Sequence, residues 1–298
     1  MDKKGFTLIE IIVSIAILSI LAGVMVPLVY RVWESNEIAA TRTRMADLKT
    51  AIAGARDLYQ QGVRSHYGFV GDIGALPNNL DDLVIDTGAW AGWRGPYLGG
   101  GFNATTYKLD AWSNPIAYTE YAPPLIVAGE EIAATLRSSG PDRTFGTADD
   151  IDENSDLALQ ILSKEIWPLA EIQGNLTIML TATTTATPQY YSADLYATFR
   201  DGIGFRTVRS TCFRIKDFDE SFVVEVNPDE TKPPLIQPFD EVFQFPLPIG
   251  KIMLRSRLFG DVACSGTPIE ETGDMAIFVN DGLKVLSVNP PTLYHRIN

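Results

Sequence analysis

The chain begins with MDKKGFTLIEIIVSIAILSILAGVMVPLVY, residues 1–30, and from position 6 onward this stretch carries one acidic residue, Glu10. As a helix, residues 6–30 would measure about 37 Å, and the hydrocarbon core of a bilayer is about 30 Å thick. A secretory signal peptide is also basic and then apolar, but its shorter apolar core ends at a small-residue cleavage site. Here the apolar run continues directly into a helical pattern. We therefore expect one long helix over residues 6–61 that spans a membrane.

Glu10 is unusual inside an apolar span, because a charged group at the bilayer centre costs about 2–4 kcal/mol. Taken alone, it is either a charge near the interface or a group with a specific partner. The motif GFTLIE (5–10), preceded by two lysines, resembles the class III signal of type IV pilins and type II secretion pseudopilins. The resemblance implies that a prepilin peptidase cuts between Gly5 and Phe6 and methylates Phe6. It also implies that Glu10 pairs with the Phe6 ammonium group of a neighbouring subunit and so sets the register of assembly.

Helical periodicity continues beyond the apolar span. Apolar or small residues recur at spacings of three, four and seven, which places them on one helical face: Ile38, Met45, Leu48, Ile52, Ala55 and Tyr59. We interpret this stretch as an amphipathic helix that packs on its own domain. Gly62 is the first signal that ends it, and a glycine-containing loop is expected to follow.

A globular head is expected over residues 62–155. A proline-led turn at 76–84, with an asparagine or aspartate cap, predicts a short helix. Two stretches, 93–98 and 110–118, resemble landmarks of the major pseudopilins, although Ser113 stands where that subfamily has glycine. The resemblance implies a head with a small antiparallel sheet, and it favours the secretion type of filament over a pilus.

An acidic, glycine-rich loop over residues 136–151 is the stretch of the chain with the most candidate metal ligands. By spacing alone it is either a solvated loop or a set of hard oxygen ligands of the kind that Ca²⁺ prefers, and it lacks the EF-hand pattern. Major pseudopilins bind calcium in a loop of similar layout. The resemblance therefore implies a Ca²⁺ site formed by three carboxylates, a serine and a backbone carbonyl: Asp142, Asp149, Asp150, Ser139 and Leu136. The segment before it, 122–135, is longer than the link usual in that family.

The resemblance covers residues 1–155, and the remainder predicts a linker, 156–170, followed by an all-β domain, 171–298. A short helix is expected at 157–167. Beyond it, short alternating stretches between turns predict a β-sandwich, with strands at 175–182, 190–199, 205–213, 221–226, 242–245, 251–258, 275–279 and 283–288. The expected class is α+β: a long amino-terminal pilin helix, a head with a small antiparallel sheet, and an all-β sandwich domain.

Cysteines, histidines and charge limit the function classes. Cys212 and Cys264 fit either a disulfide bond in an oxidising compartment or two buried free thiols. His66 and His295 lack the spacing of metal ligands, and the sequence has no recognisable nucleophile motif, so an enzyme is not expected. A net charge of −13 repels nucleic acids.

The expected function is a structural subunit of a pseudopilus or pilus filament for type II protein secretion. The resemblance implies three partners: a prepilin peptidase, other copies or related pilins in a helical filament, and an inner-membrane assembly platform. Lys3 and Lys4 predict a cytoplasmic amino terminus. The resemblance implies a single-pass inner-membrane protein whose head lies in the periplasm or on an extracellular filament. The alternative is a membrane-anchored or filament-displayed binding module, an adhesin or substrate-recognition domain, that acts through the β-sandwich.

Overall fold

The computed structural model describes residues 8–60, 63–99, 106–146, 159–167, 171–180, 191–215, 235–243, 246–279 and 292–297. The chain forms two compact units, each made of segments that are separate in sequence. The first comprises Met1–Ala46, Thr105–Ala117 and Arg137–Leu159, and the second comprises Asp47–Ala104, Tyr118–Leu136 and Gln160–Asn298. The domain bounds expected from the sequence, 62–155 and 171–298, stay predictions.

Helix α1 runs from Leu8 to Ala53 and includes Pro27. All residues from 8 to 36 are exposed, whereas one face of the last turns is buried; its members include Thr41, Met45, Leu48 and Ile52. The spacing of four, three and four residues is that of one helical face, as the periodicity predicts.

The helix ends eight residues before the expected position 61. Gly54 has a φ of 81°, the left-handed conformation that glycine adopts without steric cost at the end of a helix. A Cβ atom on Gly54 would lie 2.4 Å from the carbonyl oxygen of His66, so the chain also needs glycine there to pack closely. The sequence pattern continued past this residue, and the prediction was therefore too long.

Short elements follow α1. Strands β1 (Tyr59–Gln60) and β2 (Val63–Arg64) form a small antiparallel pair. Helix α2 (Gly68–Ile73) occupies a region expected to be a loop. A 3₁₀ helix at Leu80–Leu83 begins at the expected asparagine cap, where Asn79 and Asp82 bond reciprocally to backbone amides.

A three-stranded sheet of order β3-β4-β5 contains strands β3 (Ala117–Val127), β4 (Glu130–Arg137) and β5 (Leu159–Leu162). Ala128 and Gly129 both have positive φ, as a two-residue hairpin turn requires. The unusually long segment 122–135 therefore belongs to the β3–β4 hairpin. Helix α3 (Ser163–Ile166) follows β5, so the expected helix at 157–167 was right only for its last part.

The second half of the chain is rich in strands: β6 (Glu171–Leu180), β7 (Tyr191–Asp201), β8 (Gly204–Arg209), β9 (Phe213–Ile215), β10 (Leu235–Val242), β11 (Gly250–Phe259), β12 (Glu270–Glu271), β13 (Met275–Val279) and β14 (Thr292–Ile297). Six of them form one sheet of order β12-β11-β7-β8, in which β13 also pairs with β11 and β9 with β7. A second sheet has the order β10-β6-β14, with β14 parallel to β6. The α+β class with an added β domain is confirmed, and the sandwich arrangement stays a prediction.

The expected strands match the observed ones unevenly. The strand expected at 242–245 is instead Leu235–Val242, and the one expected at 205–213 is divided between β8 and β9. The strands expected at 221–226 and 283–288 lie outside the described residues.

Alternate residues of β7 and β11 form most of the core of the six-stranded sheet. In β11, buried and partly exposed side chains alternate along most of the strand. The buried set includes Leu195, Ala197, Ile252, Leu254 and Ile277. A disulfide bond joins Cys212 and Cys264, which are 52 residues apart in sequence.

Candidate functional site

The first part of α1 is both apolar and exposed. Its large exposed side chains include Ile11, Ile12, Ile15, Ile17, Leu18, Leu21, Val24, Val26, Leu28 and Val29. Burying each of them would contribute about 1.5–3 kcal/mol, so together they disfavour exposure to water by tens of kcal/mol. Within the described part of the chain, α1 is the helix that is long and apolar enough to cross a membrane. This segment therefore needs an apolar environment supplied from outside the chain.

Glu10 lies in the first turn of this exposed helix, and its side chain is exposed. Its backbone carbonyl accepts a hydrogen bond from the Ser14 hydroxyl at 2.7 Å. Such bonds within one helix satisfy a hydroxyl that faces an apolar environment. Gly5 and Phe6, the expected cleavage and methylation positions, lie outside the described residues, so their roles stay predictions.

A buried polar cluster lies in the first compact unit and is centred on Asp110. Its carboxylate accepts hydrogen bonds from the Asn114 amide at 2.7 Å and from the Ser138 hydroxyl at 2.6 Å. The Asn114 side chain donates to the Gly140 carbonyl at 2.6 Å. From helix α1, Arg44 donates to the Asp110 carbonyl at 2.7 Å. The cluster ties the 110–118 motif, the 138–140 segment and α1 together through satisfied buried groups.

The turn within this motif has a strained position. Ser113 has a φ of 65°, in the region that favours glycine. The neighbouring Ala111 amide donates to the Thr41 hydroxyl of α1 at 3.1 Å. This contact explains why Thr41 is a buried polar residue on the packed face of the helix.

The five residues expected to bind calcium are only partly described. Leu136 is fully buried near the end of β4, and Ser139 is also buried. Asp142 is exposed, and its Oδ1 accepts the Thr144 amide at 2.7 Å. Asp149 and Asp150 lie outside the described residues.

Ser139 and Asp142 carry hard oxygen atoms and lie three residues apart on one loop, whereas Ca²⁺ takes about 6–8 oxygen ligands. Among the described residues, no group of three or more histidine, cysteine, aspartate or glutamate side chains is placed to hold a metal ion. The calcium site stays a prediction.

Sequence reasoning missed the polar residues that build this region. Arg44 lies 66 positions before Asp110, and Ser138 lies 28 positions after it, so no local sequence pattern connects the three residues. The available signal was an aspartate four residues before an Asn-Pro turn, because an aspartate side chain often accepts a nearby backbone amide.

Two other buried carboxylates, both in the second unit, hold structural contacts. Glu165 on α3 pairs with Lys49 at 2.9 Å and with Arg56 at 3.1 Å, which joins α3 to the end of α1. Asp194 on β7 is fully buried and bonds Arg209 at 2.5 Å and Arg257 at 3.0 Å. The Asp194 hydrogen bond is the main cause of the raised pKa of Arg257.

The Asp194 group also contacts the disulfide region, because Arg209 donates a hydrogen bond to the Cys264 carbonyl at 3.1 Å. The Cys264 amide in turn donates to the Ser192 hydroxyl at 3.1 Å. These bonds hold the 264 loop against β7.

His66 has a structural contact: its Nδ1 accepts the Ala55 amide at 3.0 Å, just after the end of α1. The side chain of His295 lies outside the described residues.

Comparisons with known proteins cover up to half of the chain. A family model described as the prokaryotic N-terminal methylation motif matches residues 1–26. The type II secretion system core protein G of Escherichia coli K12 is 31% identical over 153 residues, which are 50% of this chain and 89% of that protein. The protein of the same name from Xanthomonas campestris pv. campestris is 32% identical over 153 residues, 50% of this chain and 87% of that protein. No solved structure matches the chain.

Proposed function

This chain belongs to the family of the type II secretion system core protein G, and from that membership we propose how it is processed, anchored and assembled. It is a structural subunit of the pseudopilus of type II secretion. The observation that carries the mechanism is the exposed apolar surface of α1, since a filament subunit must bury that surface against the membrane first and against its neighbours later.

Processing by a prepilin peptidase is supported by the methylation motif at residues 1–26. We propose that the peptidase cuts between Gly5 and Phe6 and methylates Phe6. The new amino group then lies four positions before Glu10, at the end of an apolar helix.

Assembly through α1 follows from the same geometry. The Glu10 carboxylate pairs with the Phe6 ammonium group of a neighbouring subunit in a medium of low dielectric constant. A buried ion pair contributes little net stability, but an unpaired buried charge costs several kcal/mol, about 3–5. The pair therefore selects one register among the many that apolar surfaces would allow.

The proposed orientation places the amino terminus in the cytoplasm and the folded units on the other side of the inner membrane. Lys3 and Lys4 support it because basic residues favour the cytoplasmic side. The disulfide bond between Cys212 and Cys264 also supports it, because such bonds persist in oxidising compartments. From this position an inner-membrane platform would assemble the subunits.

We also propose that the loop after β4 binds Ca²⁺ through Ser139, Asp142, Asp149, Asp150 and the Leu136 carbonyl. The bound ion would neutralise the carboxylates and stabilise the loop that begins at the Asp110 cluster. Calcium should raise the melting temperature of the wild type and leave that of Asp142→Ala unchanged, as measured by scanning calorimetry with calcium and with chelator. Equal melting of the wild type in both conditions would contradict the site.

The assembly proposal is tested with Glu10→Ala and the isosteric Glu10→Gln, with Glu34→Ala as a matched control on the same exposed helix. We expect at least a tenfold loss of subunits in filaments sheared from cells for both Glu10 variants, with wild-type levels for Glu34→Ala. Membrane abundance and the melting temperature of the folded units should not change.

Normal filaments from Glu10→Ala would contradict the pairing. Intact-mass measurement of the extracted chain tests processing separately: a mature chain that begins with methylated Phe6 supports it, and one that still begins at Met1 contradicts it.

A further inference from the structure

A cleft of about 850 Å³ lies in the second unit, where strands β7 and β11 part. Their ladder ends at the pair Met253–Thr198, although β7 continues to Asp201 and β11 begins at Gly250. Helix α2 packs against both strands at this end of the sheet. The volume is within the range of about 300–1,000 Å³ that is usual for ligand sites.

Glycine residues allow α2 to close the base of the cleft. A Cβ atom on Gly250, which has a φ of 119°, would lie 2.4 Å from the Gly71 carbonyl oxygen. The Gly202 amide donates to the Ile73 carbonyl at 3.0 Å, which ties the end of α2 to the turn after β7. The base is therefore held by close backbone packing.

The charge of the cleft is opposite to that of the chain. Arg94, Arg200 and Lys251 line it, and Asp72 is the one carboxylate among the described lining residues. The whole chain carries a net charge of −13. A local excess of cations in an acidic protein attracts an anionic ligand.

Exposed apolar and aromatic side chains lie beside these cations. Phe205 is 73% exposed, and the neighbouring Ile203 is 76% exposed. The Arg200 guanidinium lies 5.7 Å from the centre of the Phe205 ring. Tyr67 and Phe278 also line the cleft, and their rings stack with their centres 5.7 Å apart. Exposed aromatic groups of this kind mark binding surfaces.

Internal hydrogen bonds fix the polar part of the lining. Tyr97 donates through its hydroxyl to Asp72 at 3.1 Å and accepts from the Arg94 amide at 3.0 Å. Burial raises the pKa of Asp72, with Tyr97 and the arginines opposing the shift. The cleft is thus already organised before any ligand enters.

We propose that this cleft binds an acidic peptide segment that carries an aromatic side chain, supplied by another protein. The carboxylates of the peptide would pair with Arg94, Arg200 and Lys251, and its ring would pack on Phe205 and Phe278. A saccharide fits less well, because the exposed rings of Phe205 and Phe278 offer no hydrogen-bond donors or acceptors to sugar hydroxyls. The proposal goes beyond the filament role and does not depend on it.

The test uses the full chain in a nonionic detergent and isothermal titration calorimetry. The probe is the peptide acetyl-Gly-Asp-Phe-Glu-Asp-Gly-amide, and the matched peptide has asparagine and glutamine in place of its acids. We expect the acidic peptide to bind at least tenfold more tightly than the amide peptide, and its affinity to fall as salt is added, because charge pairs at an exposed site are screened.

Two variants locate the binding site. Arg200→Gln combined with Lys251→Gln should weaken binding of the acidic peptide at least tenfold. The control is Arg206→Gln, because Arg206 is exposed on β8 next to Phe205 but points to the opposite side of the strand. It should change the affinity less than twofold.

Asp72→Asn removes the carboxylate of the cleft and should tighten binding two- to threefold. If the double variant melts at a lower temperature than the wild type, Lys251→Gln alone, at an exposed position, replaces it and should weaken binding about threefold.

Three results would overturn the proposal. The first is no binding of the acidic peptide, and the second is equal weakening by Arg206→Gln and the cleft variants. The third is tighter binding of an oligogalacturonate than of the peptide, which would assign the cleft to an acidic saccharide. Filament assembly by the cleft variants at wild-type levels would show that any failure here leaves the pseudopilus role intact.

Discussion

The first part of α1 and the core of the six-stranded sheet are built from the same aliphatic residues but differ completely in exposure. Ile17 on α1 is 52% exposed, whereas Ile252 on β11 is fully buried. In the sheet, alternate residues meet partners from β7 and β13 within the same chain. On the helix, apolar residues point in every direction, and no single internal partner would cover them. The difference shows that the sheet satisfies its own hydrophobic surface, while the helix depends on a membrane or on other subunits.

The largest effect is expected from matched leucine truncations in these two regions. Leu254→Ala should lower the free energy of unfolding by about 2–5 kcal/mol, because it leaves a cavity in a closely packed core. Leu18→Ala removes the same atoms from an exposed helical position and should leave unfolding of the folded units unchanged. Denaturant titrations of both variants measure the contrast. A similar loss in both would mean that residues 8–36 pack within the chain.

Two carboxylates sharpen the same comparison. Asp194→Ala should destabilise the chain by about 2–4 kcal/mol, since it leaves Arg209 and Arg257 without their shared partner and empties a buried site. Breaking a fully buried pair costs about 3–5 kcal/mol, and the partial exposure of both arginines makes the expected loss smaller. Glu10→Ala should not change unfolding at all. Thermal melts of the two variants check this prediction, and an unchanged melt of Asp194→Ala would show that the arginines are stable without it.

A smaller gain is expected at the strained turn beside the packed part of α1. Ser113→Gly should stabilise the chain by up to about 1 kcal/mol, because a side chain at a φ of 65° is disfavoured and glycine is not. The greater freedom of glycine in the unfolded chain offsets part of the gain. Denaturant titration of Ser113→Gly and of the control Ser113→Ala separates the two effects. Greater stability of the alanine variant would contradict the argument.

The smallest effect concerns pH. Burial raises the pKa of Asp72 above 3.8, so the folded state holds this proton more tightly than the unfolded state. Ionised Asp72 therefore costs stability at neutral pH, and that cost disappears as the pH falls through the raised pKa towards 3.8. Asp72→Asn should be slightly more stable than the wild type at pH 7, with the difference lost near pH 3. Melting temperatures of both proteins from pH 3 to pH 7 test this prediction. An Asp72→Asn variant that is less stable than the wild type at pH 7 would contradict it.

Local signals in the sequence predicted local structure well. The Asn79 cap and the 3₁₀ helix after it were confirmed, since a cap needs only residues three positions apart. The turn between β7 and β8 is equally local, since Asp201 is followed by Gly202, which has a φ of 65°. In both cases the chemistry that fixes the backbone lies within a few residues.

Predictions failed where glycine serves packing. Gly54 ends α1 inside a pattern that looked helical, because the backbone near His66 approaches it closely. The glycine-containing segment 68–73 looked like a loop but forms α2, and Gly71 there packs on Gly250. A glycine that permits a close contact looks in sequence like a glycine that permits a turn.

The candidate sites divide in the same way. The apolar span, the GFTLIE motif and Glu10 could be identified from adjacent residues, and the comparisons bear out the family that they indicate. The Asp110 cluster and the cleft beside α2 could not, because their members come from distant segments. No periodicity or motif relates Arg94 to Lys251.

By itself, the sequence determined the membrane-spanning helix, the family and the main short-range caps and turns, because each depends on neighbouring residues and on the transfer of apolar groups from water. Tertiary structure alone decided where α1 stops, which carboxylates are buried with arginine, that Cys212 and Cys264 are joined, and that three cations meet beside exposed aromatic rings. The physical reason is that these features depend on the distance between segments far apart in sequence. Only the packing of the folded chain fixes that distance.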